Sequence, residues 1–128
     1  MEKLDQTAQT KQIEEKSKLR IDSLKKNFQF KKVYRQGRSI SSGVAILFYK
    51  KNGSKQINLG ISISKKIGNS VMRHRLKRIY KEAFRQVAKS ITYGYDFIIV
   101  ARKETARLTY QGAVDELSKM LVRGKIIR

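Results

Sequence analysis

The stretch SKKIGNSVMRHRLKRIYKEAFR, residues 64–85, combines an apolar stripe with eight basic residues and a single acid, Glu82. At 100° per residue, the stripe stays within an arc of about 80° and consists of Met72, Leu76, Ile79, Ala83 and Val87. The opposite arc holds the cation ladder, which we define as Arg73, His74, Lys77, Arg78, Lys81 and Arg85. This pattern predicts a helix that begins after Gly68, is capped by Asn69 or Ser70, and ends at about Lys89.

Two interpretations of the cation ladder are open. A solvated helix face ordinarily mixes charges of both signs, because like charges four residues apart destabilise a helix by about 0.2–0.5 kcal/mol per pair. Here the rows Arg73–Lys77–Lys81–Arg85 and His74–Arg78 contain no acid. We therefore interpret the ladder as a surface for a polyanion, with Lys65, Lys66 and the amides at the helix start as a further anion site.

The charge of the whole chain supports this interpretation. There are 30 basic and 10 acidic residues, a net charge of +20. Residues 1–23 hold five of each sign, so the entire excess lies in residues 24–128. We expect residues 1–20 to be a polar, flexible extension and residues 21–128 to form one domain. Nucleic acid is the leading partner class; an anionic membrane surface is second, although the apolar stripe is needed to cover the predicted sheet.

Composition also excludes several kinds of chemistry. There is no cysteine, so disulfides, thiol catalysis and cysteine-based metal sites are excluded. The one histidine, His74, lies between Arg73 and Arg75, where no carboxylate is available to orient it as the base of a Ser-His-Asp triad. The sequence has neither a run of about 20 apolar residues nor a secretory signal pattern, so we expect a cytoplasmic protein without a membrane partner.

The remaining pattern predicts an α+β protein with the element order α-β-β-α-β-α. Helices are predicted at Leu24–Gln36 and Thr109–Arg123, in addition to the helix that carries the ladder. Strands are predicted at Val44–Tyr49, Ile57–Ser64 and Asp96–Ala101, the last buried on both faces because its apolar run is continuous. The Asn-Gly step in residues 50–55 favours a hairpin between the first two strands. The strand–helix–strand order suggests a parallel pair within a small mixed sheet.

Three aromatic residues form a second candidate site, which we call the aromatic trio: Phe30, Tyr34 and Phe48. Phe30 and Tyr34 are four residues apart on the first predicted helix, and Phe48 lies on the first predicted strand. Their spacing alone favours a place in the core. The alternative is a cleft in which unpaired bases stack, each worth about 1–3 kcal/mol.

The segment KKIGNSVMRHRLKR, residues 65–78, resembles the signature K-K-x-G-x-A-V-x-R-N-R-x-K-R of the protein subunit of bacterial ribonuclease P. The resemblance extends to LKKNFQFKKVYRQGRS, residues 24–39, and to YDFIIVARKETARLTY, residues 95–110, in the order of the family. Two positions depart from the signature. His74 replaces the central asparagine, and Ser70 replaces an alanine.

The resemblance implies a small single-domain α+β fold of the ribosomal protein S5 domain 2-like type, with a left-handed βαβ crossover. It implies assembly with a catalytic RNA that removes the 5′ leader of precursor tRNA. Mg²⁺ would be bound mainly by that RNA and the substrate, and no protein partner is expected. By analogy, the RNA subunit contacts Lys65, Lys66, Arg73, His74, Arg75, Lys77, Arg78 and Lys81. The leader cleft contains Phe30, Tyr34 and Phe48. A basic ribosomal protein without a part in catalysis is the alternative.

Overall fold

The computed structural model describes residues 20–127, which form five strands and three helices in the order β-α-β-β-β-α-β-α. The strands are β1 Arg20–Ser23, β2 Arg38–Ser41, β3 Ala45–Lys51, β4 Gln56–Ser62 and β5 Tyr95–Ala101. The helices are α1 Asn27–Gln36, α2 Ser70–Val87 and α3 Tyr110–Arg123. Two 3-10 turns, Ala88–Ser90 and Lys103–Arg107, follow α2 and β5.

The five strands form one mixed sheet in the order β1-β4-β5-β3-β2. β1, β4 and β5 run parallel, whereas β3 pairs antiparallel with both β5 and β2. The α+β class and the parallel pair joined by α2 are therefore confirmed. The handedness of that crossover stays a prediction.

The predicted hairpin between β3 and β4 is wrong, because β5 lies between these strands and pairs with both. The turn itself forms: Gly53 has φ 71°, and the Asn52 side-chain oxygen accepts hydrogen bonds from the Ser54 amide and hydroxyl. The turn predicted from the Asn-Gly step is therefore present. Its strands separate because the continuous apolar run of β5 can bury both of its faces only in the middle of the sheet.

The short edge strands β1 and β2 are absent from the sequence prediction. Their sequences, RIDS and RSIS, contain one apolar residue each, and their side chains are mostly exposed. Such strands form because the neighbouring strand supplies hydrogen-bonding partners. Their own sequences lack the alternation of apolar residues that would predict a strand. The predicted extension of residues 1–20 lies outside the described residues except for Arg20, which begins β1.

Each face of the sheet has its own core. On one face, Leu47, Ile57, Phe97 and Ile99 pack with buried residues of α2 and α3 in the main cluster. On the other, Ile98 packs with Leu24 and with Val33 of α1, in a much smaller cluster. β5 contributes to both clusters, which confirms that it is buried on both faces. The α1 face is thinly covered, and this leaves part of the sheet available to a ligand.

Candidate nucleic-acid interface

The start of α2 is fixed by a side-chain cap. The Asn69 side-chain oxygen accepts a hydrogen bond of 2.9 Å from the Met72 amide, so Asn69, rather than Ser70, is the N-cap. The Met72 side chain packs directly against the Gly68 backbone, because a Cβ built on Gly68 would overlap the Met72 sulfur. The cap fixes where the helix begins and hence where its first cations lie.

The inward face of α2 is fixed by packing. Its buried residues are Leu76, Tyr80, Ala83, Phe84 and Val87, while Met72 and Ile79 are half-buried. The Tyr80 hydroxyl contacts Thr105 Oγ1 and donates to the Val44 carbonyl oxygen at 3.3 Å. Burial raises the pKa of Tyr80, and the hydrogen bond to Thr105 partly offsets this. These contacts set the rotation of α2 about its axis, so its opposite face must point outward.

The outward face carries the cations that the sequence predicted. Among the predicted RNA contacts, Arg73 is half-buried and the others are exposed: Lys65, Lys66, His74, Arg75, Lys77, Arg78 and Lys81. Arg73 donates to the Gly68 carbonyl oxygen at 3.0 Å, and Arg75 reaches the Leu108 carbonyl oxygen at 3.4 Å. These hydrogen bonds hold the Arg73 guanidinium against the loop before α2 and the Arg75 guanidinium against the loop before α3. Each guanidinium keeps further N–H donors for a ligand.

The cation ladder is not neutralised by carboxylates within residues 20–127. The one ion pair in this range joins Arg20 and Asp22 at 3.9 Å. Glu82, the single acid on α2, is exposed and pairs with no cation of the ladder. Within the part of the chain that the structure describes, no carboxylate relieves the mutual repulsion of these like charges, which solvent ions or a bound polyanion would reduce.

The aromatic trio forms a contiguous group on the other face of the sheet, beside α1. The Tyr34 and Phe48 rings meet edge to face with centroids 4.9 Å apart, and the Phe30 and Tyr34 centroids are 6.5 Å apart. Phe30 and Phe48 are half-buried, whereas Tyr34 is 42% exposed. Burial nevertheless raises the pKa of Tyr34, with a hydrogen bond to the Ser62 side chain acting in the opposite direction. The trio is thus both a small core and an accessible surface.

A gap at the edge of the sheet brings the two predicted sites together. β1 pairs with β4 only as far as Leu59, so Gly60 and Ile61 have no strand beside them on that edge. The resulting edge notch is a cavity of about 530 Å³. Its lining includes Leu24, Phe30 and Gly60 from one side and Lys77, Arg78 and Lys81 of the ladder from the other. An aromatic ring and three cations therefore face one space.

Gly60 makes the notch possible. A Cβ built on Gly60 would lie 2.6 Å from Phe30 Cζ, so the Phe30 ring lies directly on the strand backbone. Gly60 and Lys25 in the notch, and Ser62 beside Tyr34, were not predicted from the sequence as site residues. A glycine inside an otherwise alternating strand is a signal for close approach of another group, and it could have identified Gly60.

The remaining predicted residues lie outside the notch. Tyr34 and Phe48 are not in its lining, and neither are Arg73, His74 and Arg75, which belong to the first turns of α2. Lys65 and Lys66 lie in the turn before the helix, where the Lys66 amide donates to Ser64 Oγ. The candidate surface is therefore a band that runs from this turn along α2 to the notch, with the trio on the neighbouring face.

Within residues 20–127, no three His, Cys, Asp or Glu side chains come together as a metal site would require. None of the helices in the same range is both long and apolar enough to cross a bilayer. The chemistry that the arrangement offers is the binding of phosphates by fixed cations and of bases by exposed aromatic rings.

The fold and this surface define a small, strongly basic α+β protein of the RNA-binding class. A family model described as Ribonuclease P matches residues 19–125. The chain is 35% identical over 102 residues to the ribonuclease P protein component of Caldanaerobacter subterraneus, covering 80% of this chain and 88% of that protein. It is 35% identical over 114 residues to that of Listeria monocytogenes, covering 88% and 93%. The chain therefore belongs to the ribonuclease P protein family.

Solved structures give the same result. The RNase P protein of Staphylococcus aureus superimposes with a TM-score of 0.75 at 30% identity, covering 83% of this chain and 97% of that one. The RNase P protein of Thermotoga maritima gives a TM-score of 0.72 at 27% identity, covering 79% and 96%. The resemblance found in the three sequence segments is confirmed over the whole described domain.

Proposed function

We propose that this protein is the RNA-binding subunit of a bacterial cytoplasmic ribonuclease P. In this role it assembles with the catalytic RNA, binds the 5′ leader of precursor tRNA and assists the magnesium-dependent removal of that leader. The observation that carries the proposal is the edge notch, where Phe30 faces Lys77, Arg78 and Lys81. A surface that presents an aromatic ring beside several cations suits a single RNA strand, which offers bases and phosphates at regular intervals.

The two parts of the surface would have different roles. The cation ladder and the residues before it, Lys65 and Lys66, would contact the RNA subunit, because i, i+4 neighbours about 5–6 Å apart can follow successive phosphates. The aromatic trio would hold the leader, because Tyr34 is exposed while its neighbours fix the orientation of its ring. His74, exposed on the ladder, can still donate and accept a hydrogen bond, as the family's asparagine would.

The protein would position RNA and would not cut it. Hydrolysis would be performed by Mg²⁺ that is bound by the catalytic RNA and the substrate, whereas the protein supplies fixed positive charge. Cations of the ladder would replace some of the counterions that two RNA molecules need in order to approach each other. We therefore expect the protein to lower the Mg²⁺ concentration at which the substrate binds and is cleaved.

A reconstitution assay tests this proposal. Precursor tRNA is incubated with a bacterial ribonuclease P RNA at low Mg²⁺, with and without the purified protein. We expect cleavage at the mature 5′ end to become faster when the protein is present, and no cleavage by the protein alone. Unchanged cleavage by the RNA, together with tight binding to ribosomal RNA, would favour the alternative of a basic ribosomal protein.

A further inference from the structure

A second basic cavity lies at the opposite edge of the sheet from the notch. This far-edge pocket has a volume of about 430 Å³. It is lined by the end of α1, the start of β2, the end of β3, the start of β5 and the residues after α3: Gln36, Gly37, Arg38, Tyr49, Lys50, Lys51, Tyr95, Gly124 and Lys125. None of these residues belongs to the cation ladder or to the aromatic trio.

The far-edge pocket is uniformly cationic. Four of its lining residues are basic, and none is acidic. The acid closest in the sheet register is Asp96, opposite Lys50. The Asp96 carboxylate is already engaged, because it accepts hydrogen bonds from the side-chain amides of Asn52 at 3.0 Å and Asn58 at 2.8 Å. No cation of the pocket forms an ion pair with a carboxylate within residues 20–127, although the charge of Asp96 remains beside Lys50.

The backbone holds these cations in place. A Cβ built on Gly37 would lie 2.6 Å from the carbonyl oxygens of Tyr49 and Val33, so only glycine allows these two backbone segments to come together. Lys125 has φ 59°, a left-handed conformation that non-glycine residues seldom adopt. It is held there by a 2.9 Å hydrogen bond from its amide to the Val122 carbonyl oxygen. Together with the 2.9 Å hydrogen bond from the Ile126 amide to the Leu121 carbonyl oxygen, this conformation forms a Schellman-type cap that ends α3 and fixes the position of Lys125.

Aromatic hydroxyl groups complete the lining. Tyr49 and Tyr95 both face the pocket, with ring centroids 6.3 Å apart. Next to them, Lys51 Nζ lies 5.0 Å from the centroid of the exposed Tyr93 ring. Tyr95 is buried and Tyr49 half-buried, so the pocket offers its cations and the Tyr49 hydroxyl as donors for phosphate oxygens, while the exposed Tyr93 ring beside it offers a face for a base.

The far-edge pocket and the notch lie toward opposite edges of the sheet. The notch lies beside β1 and β4, and the pocket beside β3 and β2. β1 and β2 are four strand spacings apart, which corresponds to about 19 Å. Tyr49 also lies on the face of the sheet opposite to Phe48, because side chains alternate along β3. We therefore expect an RNA at the pocket to be a different segment from the RNA at the trio.

We propose that the far-edge pocket is a second RNA-phosphate site, in which Arg38, Lys51 and Lys125 bind the backbone of a separate RNA segment. This inference rests on the proposed function, and the segment belongs either to the RNA subunit or to precursor tRNA. The protein then contacts RNA at both edges of its sheet and holds two segments at a fixed separation.

The test compares two variants of equal net charge. One combines Arg38→Ala with Lys125→Gly, which removes two cations of the pocket and relieves the backbone at residue 125. The control combines Lys55→Ala with Lys119→Ala, two exposed lysines outside every site described above. Affinity for ribonuclease P RNA alone, and for precursor tRNA in the assembled complex, is measured as a function of salt concentration.

We expect the pocket variant to bind one of the two RNAs about tenfold or more weakly, with a salt slope about two units shallower, whereas the control stays close to wild type. The RNA that is affected identifies the source of the segment. A pocket variant that matches the control with both RNAs overturns the second site. Failure of the wild-type protein to accelerate cleavage would instead refute the proposed function, so the two failures are distinguishable.

A second measurement does not depend on these substitutions. Because the chain has no cysteine, Lys51→Cys creates a unique attachment point for a photo-crosslinker. We expect crosslinks to one RNA segment from residue 51 and only background from Lys119→Cys. Equal, background crosslinking from both positions would contradict the proposal.

Discussion

Helices α2 and α3 pack against each other on the same face of the sheet, yet their exposed surfaces differ. α2 contains six Lys or Arg residues and one acid, a net charge of +5. α3 contains Lys119 and Arg123 against Asp115 and Glu116, a net charge of zero. Both bury an apolar stripe in the main core cluster. Covering the sheet therefore does not require a cationic outer face.

The difference in charge between the two exposed helix faces distinguishes features that stabilise the fold from features available to a ligand. On α3, charges of opposite sign three or four residues apart stabilise the helix, as is usual for an exposed face. On α2, the repeated like charges oppose helix formation by a few tenths of a kcal/mol per pair. The structure compensates for this cost with the Asn69 cap and the buried Tyr80 hydrogen bonds. The fold does not account for the charge of α2, and the proposed function assigns that charge to RNA binding. Three pairs of variants test the proposed surface: the first compares α2 with α3, and the other two compare Tyr34 and Gly60 with positions on α3.

The largest effect is expected from reversing one charge on each helix. Lys81→Glu and Lys119→Glu change the net charge of the protein equally. We expect Lys81→Glu to weaken binding to ribonuclease P RNA by about 30-fold and to reduce the salt slope by one to two units, because it removes a phosphate contact and adds repulsion. Lys119→Glu should change the affinity less than threefold. Equal losses for both would show that only total charge matters. Titrations at several salt concentrations measure the affinities, and thermal unfolding confirms that both variants fold.

An intermediate effect is expected from removing one exposed tyrosine ring, either Tyr34 of α1 or Tyr110 of α3. Tyr34 and Tyr110 are matched in exposure, at 42% and 43%. Tyr34→Ala should weaken binding of leader-bearing precursor tRNA to the assembled complex by about tenfold, through loss of one stacking contact. Mature tRNA, which lacks the leader, should bind as before.

Tyr110→Ala on α3 serves as the control and should leave both affinities unchanged. The aromatic trio would lose its proposed role if Tyr34→Ala weakened precursor and mature tRNA equally. The same conclusion would follow if Tyr110→Ala had as large an effect on the precursor as Tyr34→Ala.

The smallest effect is expected from adding a methyl group at Gly60 of β4, next to Phe30, or at Gly112 of α3. In Gly60→Ala the new Cβ would displace the Phe30 ring, and we expect about threefold weaker binding of leader-bearing precursor, together with destabilisation of about 1–3 kcal/mol from overpacking. In Gly112→Ala on α3, the nearest atom is Thr109 Oγ1 at 3.2 Å. That variant should bind RNA normally and be as stable as wild type or up to about 1 kcal/mol more stable. Equilibrium unfolding and filter binding give the two quantities, and an unaltered precursor affinity in Gly60→Ala would separate Phe30 from leader binding.

The sequence predicted those features that depend on local periodicity. The helical spacing of Met72, Leu76 and Val87 defined the inner face of α2 and, by exclusion, the cation ladder on its outer face. The continuous apolar run of residues 96–101 indicated a strand buried on both sides. These predictions succeeded because a 3.6-residue or two-residue period is a direct consequence of backbone geometry.

The features that the sequence did not reveal depend on contacts between distant segments. The Asn-Gly turn gave no indication that β5 would insert between β3 and β4. The notch exists because β1 stops at Ser23, one residue short of Gly60, and the far-edge pocket unites five segments of the chain. Such sites are defined by where elements end relative to one another, and pairing register is not encoded in a single local pattern.

The position of β5 also has a consequence for synthesis. The strand at the centre of the sheet is the last of the five to leave the ribosome, so the β1–β4 side and the β2–β3 side of the sheet cannot be joined until residue 101 has emerged. Until then the apolar side of α2 lacks β5 to pack against. The nascent chain therefore exposes apolar and positively charged segments to an RNA-rich environment. The complete sheet can therefore form only after most of the described domain has been translated. A chain terminated before Tyr95 would lack the strand that joins its two halves.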